Sequence, residues 1–349
     1  MAQFHELTIS EVNRETQQAV SIAFNVPANL AETFSFAAGQ YITLKKEING
    51  KEVRRAYSLC STPSSGKLRV AVKEVKDGTF SVLANNKLQV GESLQVHPPE
   101  GKFVFEPSGE NQKDYIAFAA GSGITPILSI VKTALEGEPK SRFVLVYGNR
   151  SVEETIFHKQ LLKLQLKYPE RFFIEFIYSR KQEEGAKFGR IERSSINYVL
   201  RNKFEAHDFS KCYLCGPEAM INTVTEILQE NGIAKENILF ELFSSDETGE
   251  VDDKLEGQSQ MKILVDDEEF DFIMPQDTII LDACLDRDID APHSCQGGIC
   301  SSCIARVTSG SAKMRKNQIL TDDEIEEGLI LTCQAHPTSA SVTVNYDEV

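Results

Sequence analysis

The sequence predicts three folded parts in series: a small antiparallel β-barrel, a parallel α/β sheet and a compact α+β domain. Three observations carry that prediction. The chain has 349 residues, more than one domain of roughly 100–200 residues accounts for. Its hydrophobic pattern changes near Lys113 from short alternating runs to runs that alternate with helical stretches. A polar, acidic, aromatic-free stretch, Ser244–Gln258, then sets off a last segment rich in cysteine. The expected boundaries are 1–108, 109–243, a linker at 244–260, and 261–349.

The first part reads as β because runs such as Gln40–Leu44 and Leu68–Val75 alternate apolar with polar residues between Gly and Pro clusters. In the second, strand-like Tyr115–Ala120 runs into Gly121-Ser122-Gly123 and a helix. Strand Phe143–Tyr147 follows, then an amphipathic helix with Ile156, Leu161, Leu164 and Leu166, and strand Phe172–Tyr178. Strand Cys212–Leu214, helix Glu218–Glu230 and strand Ile238–Leu242 complete a parallel βαβ pattern. The stretch after it is a flexible linker by composition. In the third part, strands Lys262–Val265 and Phe270–Ile273, a helix around Ile279–Leu285, a cysteine loop and strand Ser341–Asn345 are expected.

Composition narrows the function. Hydrophobic residues make up 41%, enough for real cores, yet no apolar run reaches the roughly 18 residues of a membrane span. The start, MAQFHELTIS, lacks the basic and apolar regions of a signal peptide. Eight cysteines without such a signal suit thiols or metal ligands in a cytoplasmic protein. The net charge of −15 argues against nucleic acid, which needs clustered Lys and Arg. Residues 1–243 carry a net charge of +1, and residues 261–349 carry −11.

Residues 291–305 read APHSCQGGICSSCIA, so Cys295, Cys300 and Cys303 follow a C-x4-C-x2-C spacing. Cys333 comes after 29 intervening residues. This is the plant-type 2Fe–2S spacing. Each iron takes two thiolates besides the bridging sulfides, and Gly297 and Gly298 let the loop curl so that its N–H groups face sulfur. A four-cysteine zinc site usually shows two paired knuckles, whereas Cys333 stands alone. A Rieske centre needs two His ligands, and His293 has no matching partner motif. It reads as a loop residue beside the cluster. Cys212 and Cys215 resemble a redox pair, but on a strand they point to opposite faces. Cys60 and Cys284 read as small buried residues.

Gly121–Gly123 after a strand and before a helix can accept a pyrophosphate through backbone N–H groups and the helix dipole. Pro126 replaces the third Gly of the dinucleotide fingerprint, so a tight structural turn is the alternative. Asn149-Arg150 and Ser179-Arg180 end two successive strands, where ligands bind in open α/β sheets. Arg at that edge, with no acid to read a ribose, suits a 2′-phosphate and favours NADPH over NADH. The alternative is two solvated surface arginines.

Taken together, the motifs resemble the ferredoxin–NADP reductase superfamily. Arg55-Ala56-Tyr57-Ser58 is similar to its flavin-binding R-x-Y-S motif, and Gly78-Thr79-Phe80-Ser81 to its pyrophosphate turn. Gly121–Pro126 and Cys215-Gly216-Pro217 resemble its two nicotinamide-nucleotide motifs. With a C-terminal ferredoxin-like (β-grasp) domain, nearly the whole chain resembles three-part oxygenase reductases, in particular those of phenylacetyl-CoA ring epoxidation. The resemblance implies FAD, held by Arg55 on a phosphate, Tyr57 against the ring and Ser58 near its reactive edge. It also implies that Thr79, Phe80 and Ser81 hold the pyrophosphate, with Val72 and Gly78 in the same set. Thr125 and Cys215 would flank the nicotinamide, and Glu241 and Phe243 would close the flavin's other face. Ser58, Thr125, Cys215 and Glu241 are then the catalytic candidates. Gly121, Gly123, Asn149, Arg150, Ser179, Arg180, Gly216 and Pro217 would bind nucleotide.

The implied chemistry follows from electron count. NADPH gives up two electrons as a hydride, a 2Fe–2S cluster accepts one, and a flavin between them converts one currency into the other. The implied partner is an oxygenase component, di-iron or Rieske, acting on phenylacetyl-CoA, another aromatic ring or a steroid. An electron-entry subunit of another flavoenzyme and a non-catalytic redox sensor are the competing readings.

Overall fold

The computed structural model describes residues 4–243 and 257–349. Most of the acidic linker expected at 244–260 therefore lies outside the described residues. The chain divides into two compact units, one holding nearly all of residues 4–243 and the other the C-terminal residues.

The larger unit begins with an antiparallel sheet of β1 (His5–Thr16), β2 (Ala19–Asn25), β3 (Tyr41–Ile48), β4 (Lys51–Ser58), β5 (Leu68–Lys73) and β6 (Ser93–Val96), in the order β4-β3-β6-β1-β2-β5. Its outer strands meet again just past β4. Leu59 bridges Val70 of β5, and the Cys60 N–H donates to the Arg69 carbonyl at 2.9 Å. The sheet thus closes into the expected barrel. Strand β2 alternates small with large residues: Val20, Ile22 and Phe24 fill the barrel, while Ala19 joins the core of the neighbouring α/β sheet. Helix α1 (Thr79–Asn86) plugs the barrel with Phe80 and Ala84.

The α/β part follows: β7 (Asp114–Ala120), α2 (Ile124–Gly137), β8 (Arg142–Asn149), α3 (His158–Lys167), β9 (Phe172–Tyr178), β10 (Lys187–Phe188), α4 (Arg193–Tyr198), β11 (Phe209–Cys215), α5 (Glu218–Glu230) and β12 (Ile238–Glu241). The sheet is parallel, in the order β10-β9-β8-β7-β11-β12. Central β7 is covered on both faces, which is why it reads as a continuous apolar run. The chain builds outward from β7 to β10 and then returns to β7's other side at β11. The switch opens a crevice at the C-terminal ends of β7 and β11. One expectation needs correction. Helix α3 starts at His158, so Ile156 precedes it, and Leu166 is 81% exposed. Leu161 and Leu164 share a face three residues apart, whereas Leu166 lies two further on, on the far side of the helix.

The C-terminal unit is built from β13 (Gln258–Val265), β14 (Glu268–Pro275), α6 (Ile280–Leu285), β15 (Ile304–Ser309), β16 (Ala312–Met314), α7 (Asp322–Glu326), β17 (Leu329–Leu331), β18 (Ala335–Pro337) and β19 (Ser341–Asn345). The main sheet runs β14-β13-β19-β15-β17, with β13 and β19 parallel. Ile280 and Leu281 of α6 pack on Met261, Ile263, Val342 and Val344 in the β-grasp arrangement.

Candidate cofactor sites

Three groups of predicted residues converge in the larger unit, and a fourth forms the cysteine loop. The first lies at the end of β4. Ser58 is buried and its Oγ donates to Glu241 Oε2 at 2.8 Å. Glu241 ends β12 in register with Cys215 on β11, so parallel pairing brings Ser58, Cys215 and Glu241 together. Burial raises the Glu241 pKa to about 8 against the opposing bond from Ser58. The Cys215 thiol is driven well up, by burial and then by the Glu241 charge. Tyr57 leans on Phe80 with ring centroids 5.6 Å apart, and Phe243 remains partly exposed. Arg55 is exposed and its guanidinium bonds the Arg54 carbonyl at 2.7 Å.

Gly78 is the N-cap of α1, which has no side-chain cap, so Thr79, Phe80 and Ser81 form the helix's first turn. Uncapped N–H groups there fit a pyrophosphate. A β-carbon on Gly78 would fall 2.4 Å from Ser81 Oγ, whose hydroxyl is engaged with the Val75 N–H at 3.1 Å. Val72 faces the barrel core, and its carbonyl accepts from Asn85 at 3.1 Å. The enclosed carboxyl–hydroxyl pair and the open helix end fit FAD.

The second group is the crevice at the topological switch. Gly121–Gly123 forms a 3₁₀ turn leading into α2. A β-carbon on Gly123 would lie 2.0 Å from the Cys215 carbonyl oxygen, so only glycine lets these two segments meet. Gly216 is likewise closed in by Met220 and Ala120, and Pro217 caps α5. Thr125 is buried, with Oγ1 donating to the Ser122 carbonyl at 3.0 Å.

The third group lies at the ends of β8 and β9. Backbone pairing continues past both strands: Ser179 N–H donates to Asn149 O at 3.0 Å, and Arg180 N–H to Arg150 O at 3.0 Å. Both arginines are therefore neighbours on one edge. Arg150 pairs with Glu154 at 3.6 Å, and Arg180 is exposed. Asn149 and Tyr178 are enclosed at this edge, where Asn149 interacts with the Tyr147 hydroxyl and Tyr178 with Thr155. Lys73 is a residue that the sequence alone did not single out. Its Nζ lies 3.6 Å from where a β-carbon on Gly121 would sit, and burial, then the charge of Arg150, lower its pKa. A lone Lys ending an apolar strand carries no signal by itself; only folding sets it beside the turn.

In the C-terminal unit, thiol contacts link Cys300 to Cys295, Cys295 to Cys333, and Cys333 to Cys303. A chain of four thiols fits two irons, each taking a pair. The Gly297 N–H donates to Cys295 Sγ at 3.3 Å, and His293 Nδ1 donates to the Ala291 carbonyl at 2.9 Å. The loop curls at Gln296 (φ 54°) and Gly298 (φ 70°), so Gln296, rather than Gly297, takes the second left-handed position. Cys60, Cys212 and Cys284 are buried free thiols, each pushed by burial up to about 12.

Comparison with known proteins agrees with this division. Residues 6–105 match the oxidoreductase FAD-binding domain family, residues 118–226 the oxidoreductase NAD-binding domain family, and residues 263–338 the 2Fe-2S iron-sulfur cluster binding domain family. The chain is 36% identical over 352 residues to a subunit of the 1,2-phenylacetyl-CoA epoxidase of Escherichia coli (strain K12), covering 99% of both. It is 32% identical over 356 residues to the ferredoxin reductase component of 3-ketosteroid-9-alpha-monooxygenase from Mycolicibacterium smegmatis, covering 98% of this chain and 97% of that one. Phthalate dioxygenase reductase has a similar fold, with a TM-score of 0.63 at 24% identity over 98% of each chain. Among the described residues, no helix is long and apolar enough to cross a membrane.

Proposed function

The chain belongs to the oxygenase reductases of the ferredoxin–NADP reductase superfamily, which join FAD-, NAD- and 2Fe–2S-binding domains in one polypeptide, and from that we propose that it carries electrons from NADPH to a phenylacetyl-CoA epoxidase. The observation that carries the partner is the 36% identity to the epoxidase subunit of Escherichia coli over the whole length of both chains. NADPH rather than NADH is supported by Arg150 and Arg180 side by side on the nucleotide edge, since a guanidinium suits a 2′-phosphate.

Bound FAD and the cluster supply the conversion of one two-electron donation into single-electron transfers. The protein's own share is placement. Thr79–Ser81 N–H groups hold the pyrophosphate and Tyr57 supports the flavin ring. Ser58 and Glu241 would hold a proton beside the bound flavin, because Glu241 stays protonated up to about pH 8. The Gly123–Cys215 contact closes the nicotinamide crevice, and Lys73 adds positive charge beside the turn. Cys295, Cys300, Cys303 and Cys333 hold the irons.

The test is nucleotide oxidation coupled to a purified phenylacetyl-CoA epoxidase oxygenase, in parallel with a 3-ketosteroid monooxygenase. Epoxidation driven by this reductase with NADPH, at a higher kcat/KM than with NADH, is expected. Turnover only with the steroid enzyme overturns the partner assignment, and a preference for NADH overturns the nucleotide assignment.

A further inference from the structure

We propose that Tyr147 is a positioning residue for the nicotinamide nucleotide, its hydroxyl holding the Gly121–Gly123 turn from inside so that the turn's N–H groups face the ligand. The inference rests on reading this turn as nucleotide-binding. Tyr147 is fully buried on β8, next to the strand that feeds the turn. Its hydroxyl donates to the Gly121 carbonyl at 2.8 Å, and the Ile156 carbonyl lies 3.4 Å away. The Gly121 carbonyl also accepts from the Ile124 N–H, so both its lone pairs are engaged on the protein side. In a trans peptide the C=O and the following N–H point in opposite directions. Drawing the Gly121 carbonyl inward therefore turns the Ser122 N–H outward. Gly121 accommodates this at φ +55°.

Packing alone does not call for a hydroxyl here. Phe would fill the same volume without burying a polar group that needs a partner. The second carbonyl within reach sharpens the point. Ile156 precedes Phe157, a buried aromatic residue held at φ 62°. A bulky side chain in that region is a strained exception that surrounding contacts must enforce, and such exceptions gather at ligand sites. One hydroxyl thus stands between the turn after β7 and the loop that follows Arg150. The first borders the crevice between β7 and β11, and the second follows the edge where β8 ends.

The test uses the full-length protein loaded with FAD and cluster, in its natural form and as Tyr147→Phe. NADP+ and NAD+ are titrated by the flavin's own absorbance change, so molecules that fail to hold FAD lower the amplitude without altering Kd. Both Kd values should rise by roughly 3- to 30-fold, because a lost hydrogen bond leaves the turn free to rotate. KM for NADPH should rise in step while kcat stays within about twofold. An unchanged Kd overturns the proposal, even with a lowered thermal midpoint, because hydroxyl loss would then be structural only. A loss confined to NADP+ also overturns it, since the turn lies on the part common to both nucleotides. If the natural protein binds neither nucleotide, the reading of the crevice itself fails instead.

Discussion

Two enclosed carboxylates, Glu138 fully buried and Glu241 partly so, show how the same residue type is turned to opposite ends. Glu138 is enclosed but receives Ser141 Oγ at 2.7 Å, Asn111 Nδ2 at 2.7 Å, Ser108 N–H at 3.0 Å and Tyr115 OH at 2.9 Å. Burial alone would raise its pKa, and these four donors more than reverse that. Its charge therefore stabilises the fold at neutral pH and stops doing so as pH falls through its lowered pKa. Glu241 has one donor, Ser58, and burial wins, raising it from 4.5 to about 8. Between these values the folded state binds the proton more tightly than the unfolded chain, so this group makes stability fall as pH rises from about 4.5 to about 8. The span is on the order of a few kcal/mol. Glu241→Gln, which cannot ionise, should remove that part of the decline when thermal midpoints are compared across this range. An equal slope in both proteins would mean that Glu241 is ionised throughout.

At the level of elements, tight turns decide whether strands present their residues correctly. The β13–β14 hairpin turns on two residues, Asp266 and Asp267, at φ 55° and 61°. Two positive φ values match the right-handed twist of the strands, but only Gly takes the second without steric cost. The Asp347 carboxylate offsets part of it by accepting the N–H groups of Asp266 at 2.9 Å and Asp267 at 3.1 Å. Asp267→Gly keeps both backbone donors and should stabilise the C-terminal unit by about 0.5 kcal/mol, read as a higher denaturant midpoint with unchanged slope. The β3–β4 turn already carries the favoured pair, Asn49-Gly50, both at positive φ. It sets the register that brings Ser58 to the end of β4.

For the whole molecule, charge is divided as sharply as structure. Residues 1–243 are nearly neutral and residues 261–349 carry −11. Association of the C-terminal unit with a basic surface on its electron acceptor would be screened by salt, whereas nucleotide binding within the near-neutral unit would be less affected. Raising ionic strength from about 0.01 to 0.3 M, a change of several-fold in Debye length, should slow reduction of the oxygenase more than reduction of the flavin by NADPH. Stopped-flow measurement of both steps checks this. Equal sensitivity would reduce the acidic surface to a solubilising role.

The 2Fe–2S domain was legible because three of its proposed ligands lie within nine residues at a spacing that such a cluster requires. Elements were legible wherever one face is buried, since the period of the apolar residues then reports the backbone, as with α5. Leu166 misled because a leucine on a helix does not reveal which face it occupies until its neighbours are packed. The Ser58–Glu241 bond joins residues 183 apart, and the placing of Lys73 beside Gly121 likewise joins the barrel to the α/β sheet. No local pattern encodes such pairs. They arise from the strand order that returns β11 and β12 to β7, and from barrel closure that brings the ends of β4 and β5 together. Local chemistry wrote the candidate ligands and motifs into the chain, while long-range packing chose which of them meet and raised the pKa of the carboxyl between them.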